Sequence, residues 1–152
     1  MSLYGFPKCE HLVLQRDIDA LFSASGHSMA AFPVRAVWML SEWGGKGPRV
    51  KVMVSVSKRK FKHAVDRNRA KRQMREAYRL NKHIVDAGSC MPEGKELHIA
   101  FIWISDTPQK SEVVHRRIVN LMQRISEKIH TMKAAVPSTG QADDTLRQMT
   151  VR

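Results

Sequence analysis

Apolar residues along the chain recur with two different periods, and the switches between them divide it into elements. Leu14, Ile18, Leu21 and Phe22 fall at helical spacing with Gly26 as a stop, which predicts a short amphipathic helix over 15–25. Val34, Ala36, Trp38 and Leu40 alternate with Arg35, Val37 and Met39, a strand apolar enough on both faces to lie inside a sheet. Gly44-Gly45-Lys46-Gly47-Pro48 reads as a turn. Val50, Val52, Val54 and Val56 then alternate with Lys51, Met53, Ser55 and Ser57, so the two runs are expected to pair as a hairpin.

The period then changes to that of a helix. Asp66 is placed to cap a helix ending near Asn81, whose inward stripe is Ala70, Met74, Ala77 and Tyr78. Gly88, Pro92 and Gly94 mark a loop, and Leu97, Ile99, Phe101 and Trp103 form an alternating strand expected at the centre of the sheet. After Pro108, Ser111 and Glu112 open a helix striped by Val114, Ile118, Leu121, Met122, Ile125 and Ile129. From Ala134 onward there is no stripe, only polar residues with Pro137 and Gly140, and a disordered tail over 134–152 is expected. The order is helix, strand, strand with a possible third between, helix, strand, helix. It predicts a single-domain α+β sandwich over 8–133 with a short N-terminal tail over 1–7. Core packing is the ordinary explanation of each stripe.

Charge adds what the stripes do not. The chain of 152 residues carries a formal net charge of +12. From Lys58 to Lys82 there are eleven cations against Asp66 and Glu76, so this segment holds nine of those twelve charges. A surplus so concentrated suits a nucleic acid. The longest apolar run, Ile99 to Ile104, is far too short to span a bilayer, and the first residues lack the pattern of a secretory signal, so a cytoplasmic location without membrane attachment is expected. Cys9 and Cys90 belong to no paired thiol motif, and neither they nor His11 and His98 have the spacing of a zinc site, so no metal site is expected. Asp17, Asp19, Asp66, Glu76 and Asp106 are scattered over different elements without the convergence of catalytic carboxylates, and no catalytic residue is assigned.

Helical spacing places Asn68, Arg72, Arg75 and Arg79 along one ridge and Arg67, Lys71 and Arg75 along the next. Like charges so placed repel by a few tenths of a kcal/mol per pair unless an anion relieves them. Val56-Ser57-Lys58-Arg59, followed by Arg67-Asn68-Arg69, Lys71-Arg72 and Arg75-Glu76-Ala77-Tyr78-Arg79, resembles the signature of the bacterial ribonuclease P protein family. The order of elements from about Lys8 to Ile129 is also similar to that family's. The resemblance implies a small α/β sandwich, α-β-β-β-α-β-α, with a four-stranded sheet and a left-handed βαβ crossover, as in some ribosomal protein domains.

It also implies a division of labour. The catalyst in that family is an RNA, with magnesium serving chiefly the RNA, and the protein assists in removing the 5′ leader from precursor tRNA. The implied partners are therefore ribonuclease P RNA and precursor tRNA, with no obligate protein partner inferred. By position in the motif, Lys58, Arg59, Arg67, Asn68, Arg69 and Arg72 would contact the catalytic RNA. Lys71 and Arg75 would line a cleft for the single-stranded leader, together with Phe22, Ile18 and either Trp38 or its neighbour Val37. Ile18 stands where the family often has an aromatic residue. Lys60-Phe61-Lys62-His63 is one residue longer than the common form and lacks its glycine. The competing reading is a ribosomal or general RNA-binding module. A DNA-binding reading lacks a recognition-helix pair.

Overall fold

The computed structural model of the protein describes residues 10–13, 15–23, 26–45, 47–85 and 94–135, with side chains to 132. The termini expected as tails, together with Cys9, Leu14 and Cys90, lie outside these, except that the last helix continues to Ala135. The elements are α1 (Gln15–Leu21), β1 (His27–Ala31), β2 (Val34–Glu42), β3 (Val50–Val56), α2 (Ala64–Asn81), β4 (Lys95–Trp103) and α3 (Ser111–Ala135), with a short 3-10 turn at Lys82–Ile84 after α2. They form a four-stranded mixed sheet in the order β1-β2-β4-β3.

The sheet corrects one sequence expectation and completes another. β2 and β3 do not pair as a hairpin, because β4 lies between them, antiparallel to β2 and parallel to β3. The central place expected for the Leu97 to Trp103 run is observed. α2 therefore serves as the crossover of a βαβ unit. The hairpin is instead made by β1 and β2, and β1, whose polar and small residues carry no strong apolar alternation, precedes β2 in sequence.

Strand alternation sorts the sheet residues onto two faces. On one, the row Trp38–Ile99–Val52 and the row Val34–Trp103–Val56 meet α2 and α3 in the main core. The whole α3 stripe from Val114 to Ile129 is fully buried there, and each such side chain contributes roughly 1.5–3 kcal/mol of transfer free energy before entropy is counted. On the other face, Val37, Ala100 and Met53 form a row beneath Leu12, Ile18 and Leu21, which seats α1. A Cβ at Gly26 would lie 2.0 Å from the carbonyl oxygen of Leu21 and 3.2 Å from Cγ1 of Val37, so the chain leaving α1 passes too close for any other residue. That close approach fits the shorter helix, which ends at Leu21 rather than near Ser25.

Candidate nucleic-acid interface

The link from β3 to α2 is built by side chains that the motif also marks as cationic. Ser57 folds it: its carbonyl accepts from the amides of Lys60 and Phe61, and its Oγ accepts from the amide of Arg59. No glycine is needed for this turn. Phe61 then anchors the link by burying against Trp103, ring centroids 6.0 Å apart. One guanidinium nitrogen of Arg67 donates to the carbonyls of Phe61 and Lys62 at 2.9 and 3.0 Å. The result is a fixed loop whose exposed lysines and arginines are Lys58, Arg59 and Lys62. Lys60 turns away to Asp106 at 3.1 Å, an exposed pair of little energetic weight.

Arg67 is thus a positioning residue as well as a cation. Arg67→Ala should cost about 1–2 kcal/mol of stability in urea denaturation, since two carbonyls lose a charged donor. Arg67→Lys should recover only part of it, because the ammonium nitrogen lies one bond nearer the backbone than the guanidinium nitrogen that makes both contacts. Wild-type stability in both variants would show these bonds to be dispensable.

α2 begins at Ala64, two residues before the expected cap. The N-cap is His63, with no side-chain cap bond, and Asp66 lies in the first turn, where its carboxylate faces the positive end of the helix dipole. Ala70, Met74, Ala77 and Tyr78 are buried as the stripe required. The opposite face presents Asn68 and Arg72 to solvent, with Arg69 exposed beside a crevice lined by Phe61, Asp66, Gln73, Trp103 and Pro108. Arg79 counts for less than the sequence suggests: it donates to Glu76 three residues earlier, which holds that carboxyl below its ordinary range, and the pair is neutral as seen from outside.

The two flanks of α2 differ. Gln73 donates to the carbonyl of Gln109 and to Ser111 Oγ, which marks the α3 side. Lys82 pairs with Glu10 at 3.2 Å, and the segment of Glu10 runs along β3, with the Leu12 amide donating to the Val52 carbonyl. Lys71 and Arg75 lie on the flank of Lys82, half-buried and exposed respectively, and so look toward the β3 margin.

Of the residues expected in a leader cleft, the structure keeps Ile18 and Val37 together under α1 and leaves Phe22, just past that helix, 48 % exposed. Trp38 is a correction. It is 1 % exposed, stacks on His27 at 4.5 Å between ring centroids and points into the helical layer, so alternation leaves Val37, not Trp38, on the α1 face. Beyond the row under α1, the next row on that face is Arg35, Ile102 and Ser55, partly or fully open to solvent, and it leads to the cationic loop. Sequence reading missed a polar cluster here. Lys51 lies beside His98 in register, its Nζ 3.3 Å from a Glu96 oxygen that is also 2.8 Å from His98 Nε2. The signal was present in the chain, since Lys51, Glu96 and His98 interrupt the α1 face of otherwise apolar strands.

Among the described residues, no group of three or more His, Cys, Asp or Glu is placed to hold a metal ion, and no helix is long and apolar enough to cross a membrane. An α/β sandwich that presents a preformed cationic loop and helix to solvent has the surface of a nucleic-acid-binding protein. Comparison with known proteins fixes which one. The model of the Ribonuclease P family matches residues 6–126, and the chain belongs to that family. It is 33 % identical over 130 residues to the ribonuclease P protein component of Porphyromonas gingivalis, covering 84 % of this chain and 91 % of that one. To the corresponding protein of Chlorobium phaeobacteroides it is 34 % identical over 128 residues, covering 76 % and 86 %. The RNase P protein from Thermotoga maritima superposes with a TM-score of 0.57 at 26 % identity over 76 % of this chain and 96 % of that one. The RNase P protein of Staphylococcus aureus, with a TM-score of 0.53 at 19 % identity over 78 % and 95 %, shares the fold. The chain is a protein subunit of ribonuclease P, the endoribonuclease that matures tRNA 5′ ends, and a general RNA-binding module is not favoured by these matches.

Proposed function

We propose that this chain works with two RNAs at once, using a different part of its surface for each. The exposed face of α2 and the preceding loop, through Lys58, Arg59, Asn68, Arg69 and Arg72, bind ribonuclease P RNA. Arg67 shapes that loop and adds its own charge. The single-stranded leader of precursor tRNA lies along the α1 side, bordered by Phe22 and by Ile18, which Val37 backs from the core, with Lys71 and Arg75 on the flank of α2 that looks toward β3. The observation that carries this reading is the split of α2 into an outward cationic face and a cationic flank directed at the β3 margin.

The chemistry asked of each surface differs. A folded RNA presents phosphates at fixed spacing, which suits guanidinium groups held on a rigid helix. A leader varies in sequence, so its recognition rests on stacking against Phe22 and on cations that follow phosphates, neither of which distinguishes bases strongly. Ile18, partly buried, offers aliphatic contact in place of a ring, and Val37 beneath it supports that contact from the core. Membership of the ribonuclease P family assigns bond cleavage to the RNA, where magnesium would supply charge stabilisation for attacking and leaving oxygens.

Phe22→Ala and Lys71→Ala test the assignment. Each should weaken binding of precursor tRNA to the assembled ribonucleoprotein by roughly fivefold or more, the cost of one lost stacking or phosphate contact, while mature tRNA binds as before. Equal losses for precursor and mature tRNA would remove the leader from this surface.

A further inference from the structure

We propose a second RNA-binding surface on the opposite edge of the molecule, in the groove between β1 and α3. Its choice of RNA as occupant rests on the ribonuclease P reading; its geometry does not. A groove of about 500 Å³ runs there, lined by Ser28, Met29, Arg124, Glu127, Lys128 and Thr131. β1 lies at one edge of the sheet, so among the described residues one side of its backbone has no neighbouring strand.

Three observations point to a polyanion in this groove. The first is the distribution of charge. Nine of the twelve surplus charges lie in 58–82, and the segment 110–132 holds the other three, with Lys110, Arg116, Arg117, Arg124 and Lys128 against Glu112 and Glu127. The rest of the chain balances to zero, so after α2 the only surplus is on α3. The second is its placement. On α3, His115 faces α2 through Asn81, while Arg124 and Lys128 line the groove toward β1, and helical spacing carries Arg117 onto the same flank two turns earlier. Arg124 marks the contact by donating to the Ala30 carbonyl at 3.0 Å. These cations therefore belong to an edge separated from α2 by the width of the sheet.

The third observation is Phe32. It stands in the β1–β2 turn at 59 % exposure, a large apolar ring with no core to fill. The turn lies at the end of the groove toward the start of α3, since Val34 pairs with Trp103 and β4 leads directly into that helix. Arg117 lies two turns of α3 from Arg124 in that same direction. An exposed ring at the mouth of a cationic groove offers a stacking place for an unpaired base whose phosphates follow Arg117 and Lys128. Glu127 is the one carboxylate in the lining, and it keeps the groove from being a uniform positive field.

The test uses the full chain with Arg117→Gln and Lys128→Gln combined, both exposed positions, with folding checked by far-UV circular dichroism. Affinity is measured against salt in two arms, for ribonuclease P RNA alone and for precursor tRNA bound to the assembled ribonucleoprotein. The expected result is a roughly tenfold loss in one arm, with the slope of log affinity against log salt smaller in magnitude by about 1.4–1.8. The arm that responds identifies the RNA in the groove. Phe32→Ala should weaken the same arm at least about fivefold with its slope unchanged, because a ring neutralises no phosphate. A folded double variant with unaltered affinity and slope in both arms overturns the groove. So does a change confined to self-association in sedimentation, which would assign the β1 edge to a second copy of the chain. Wild-type protein that bound neither RNA would overturn both this proposal and the two-RNA reading beneath it.

Discussion

Replacing Arg69 and Arg72 together by alanine is expected to weaken binding to ribonuclease P RNA by roughly 30- to 100-fold, about 2–3 kcal/mol for two charge-assisted contacts. Both side chains are exposed on α2, and neither contributes to the stripe that buries the helix. Alanine is the best helix former, and its introduction removes repulsion along the ridge, so stability should hold or rise slightly. The two readouts therefore separate. Filter binding over a range of salt should show the affinity loss together with a shallower salt slope, while urea denaturation shows no loss. Unchanged RNA affinity accompanied by lower stability would mean that these arginines serve the fold.

The second large effect is expected in the opposite direction. Trp38→Ala should destabilise the protein by about 3–5 kcal/mol, the range for truncating a large buried aromatic. Trp38 lies in the main core, packed under the helical layer and stacked on His27, and its indole nitrogen has no hydrogen-bond partner among the described residues. At low temperature, where the variant remains folded, its preference for precursor over mature tRNA should equal that of the wild type. Wild-type stability with a lost preference for precursor would put Trp38 at the leader after all. Thermal denaturation and tRNA binding on the same preparation decide between them.

Trp38 also shows what kind of information the sequence carries. Alternation correctly put Val34, Ala36, Trp38 and Leu40 on one side of a strand and Val37 on the other, but both sides are apolar, so nothing local says which is covered by two helices and which by one. That follows only from where α1 lies. The same limit explains the pairing of β3. Two adjacent alternating runs joined by a glycine-rich turn favour a hairpin on local grounds, and only the central position of β4, set by its burial on both faces, separates them. The possible third strand is expected between β2 and β3, whereas β1 precedes β2; periodicity does not place it because its burial is slight and its residues are small or polar. By contrast, α3 was legible almost residue by residue, since a long stripe of aliphatic side chains fits one helical face and no strand.

The site divides along similar lines. Charge spacing on α2 revealed its outward face directly, because a helix converts sequence intervals into angles. It could not reveal that Arg67 is engaged with Phe61 and Lys62, or that Arg79 is neutralised by Glu76, because a cation in a sequence looks the same whether it is bound or available. The turn at Ser57 likewise is held by hydrogen bonds that no spacing rule anticipates.

The central claim is that this polypeptide contributes binding, and RNA contributes cleavage. Its most direct measurement is the rate of leader removal from precursor tRNA by a bacterial ribonuclease P RNA at moderate salt and low magnesium, with and without the chain. Faster processing or tighter precursor binding on addition of the protein, with no cleavage by RNA-free protein, is the predicted result. Identical processing in its presence and absence, or turnover by the protein alone, would contradict it.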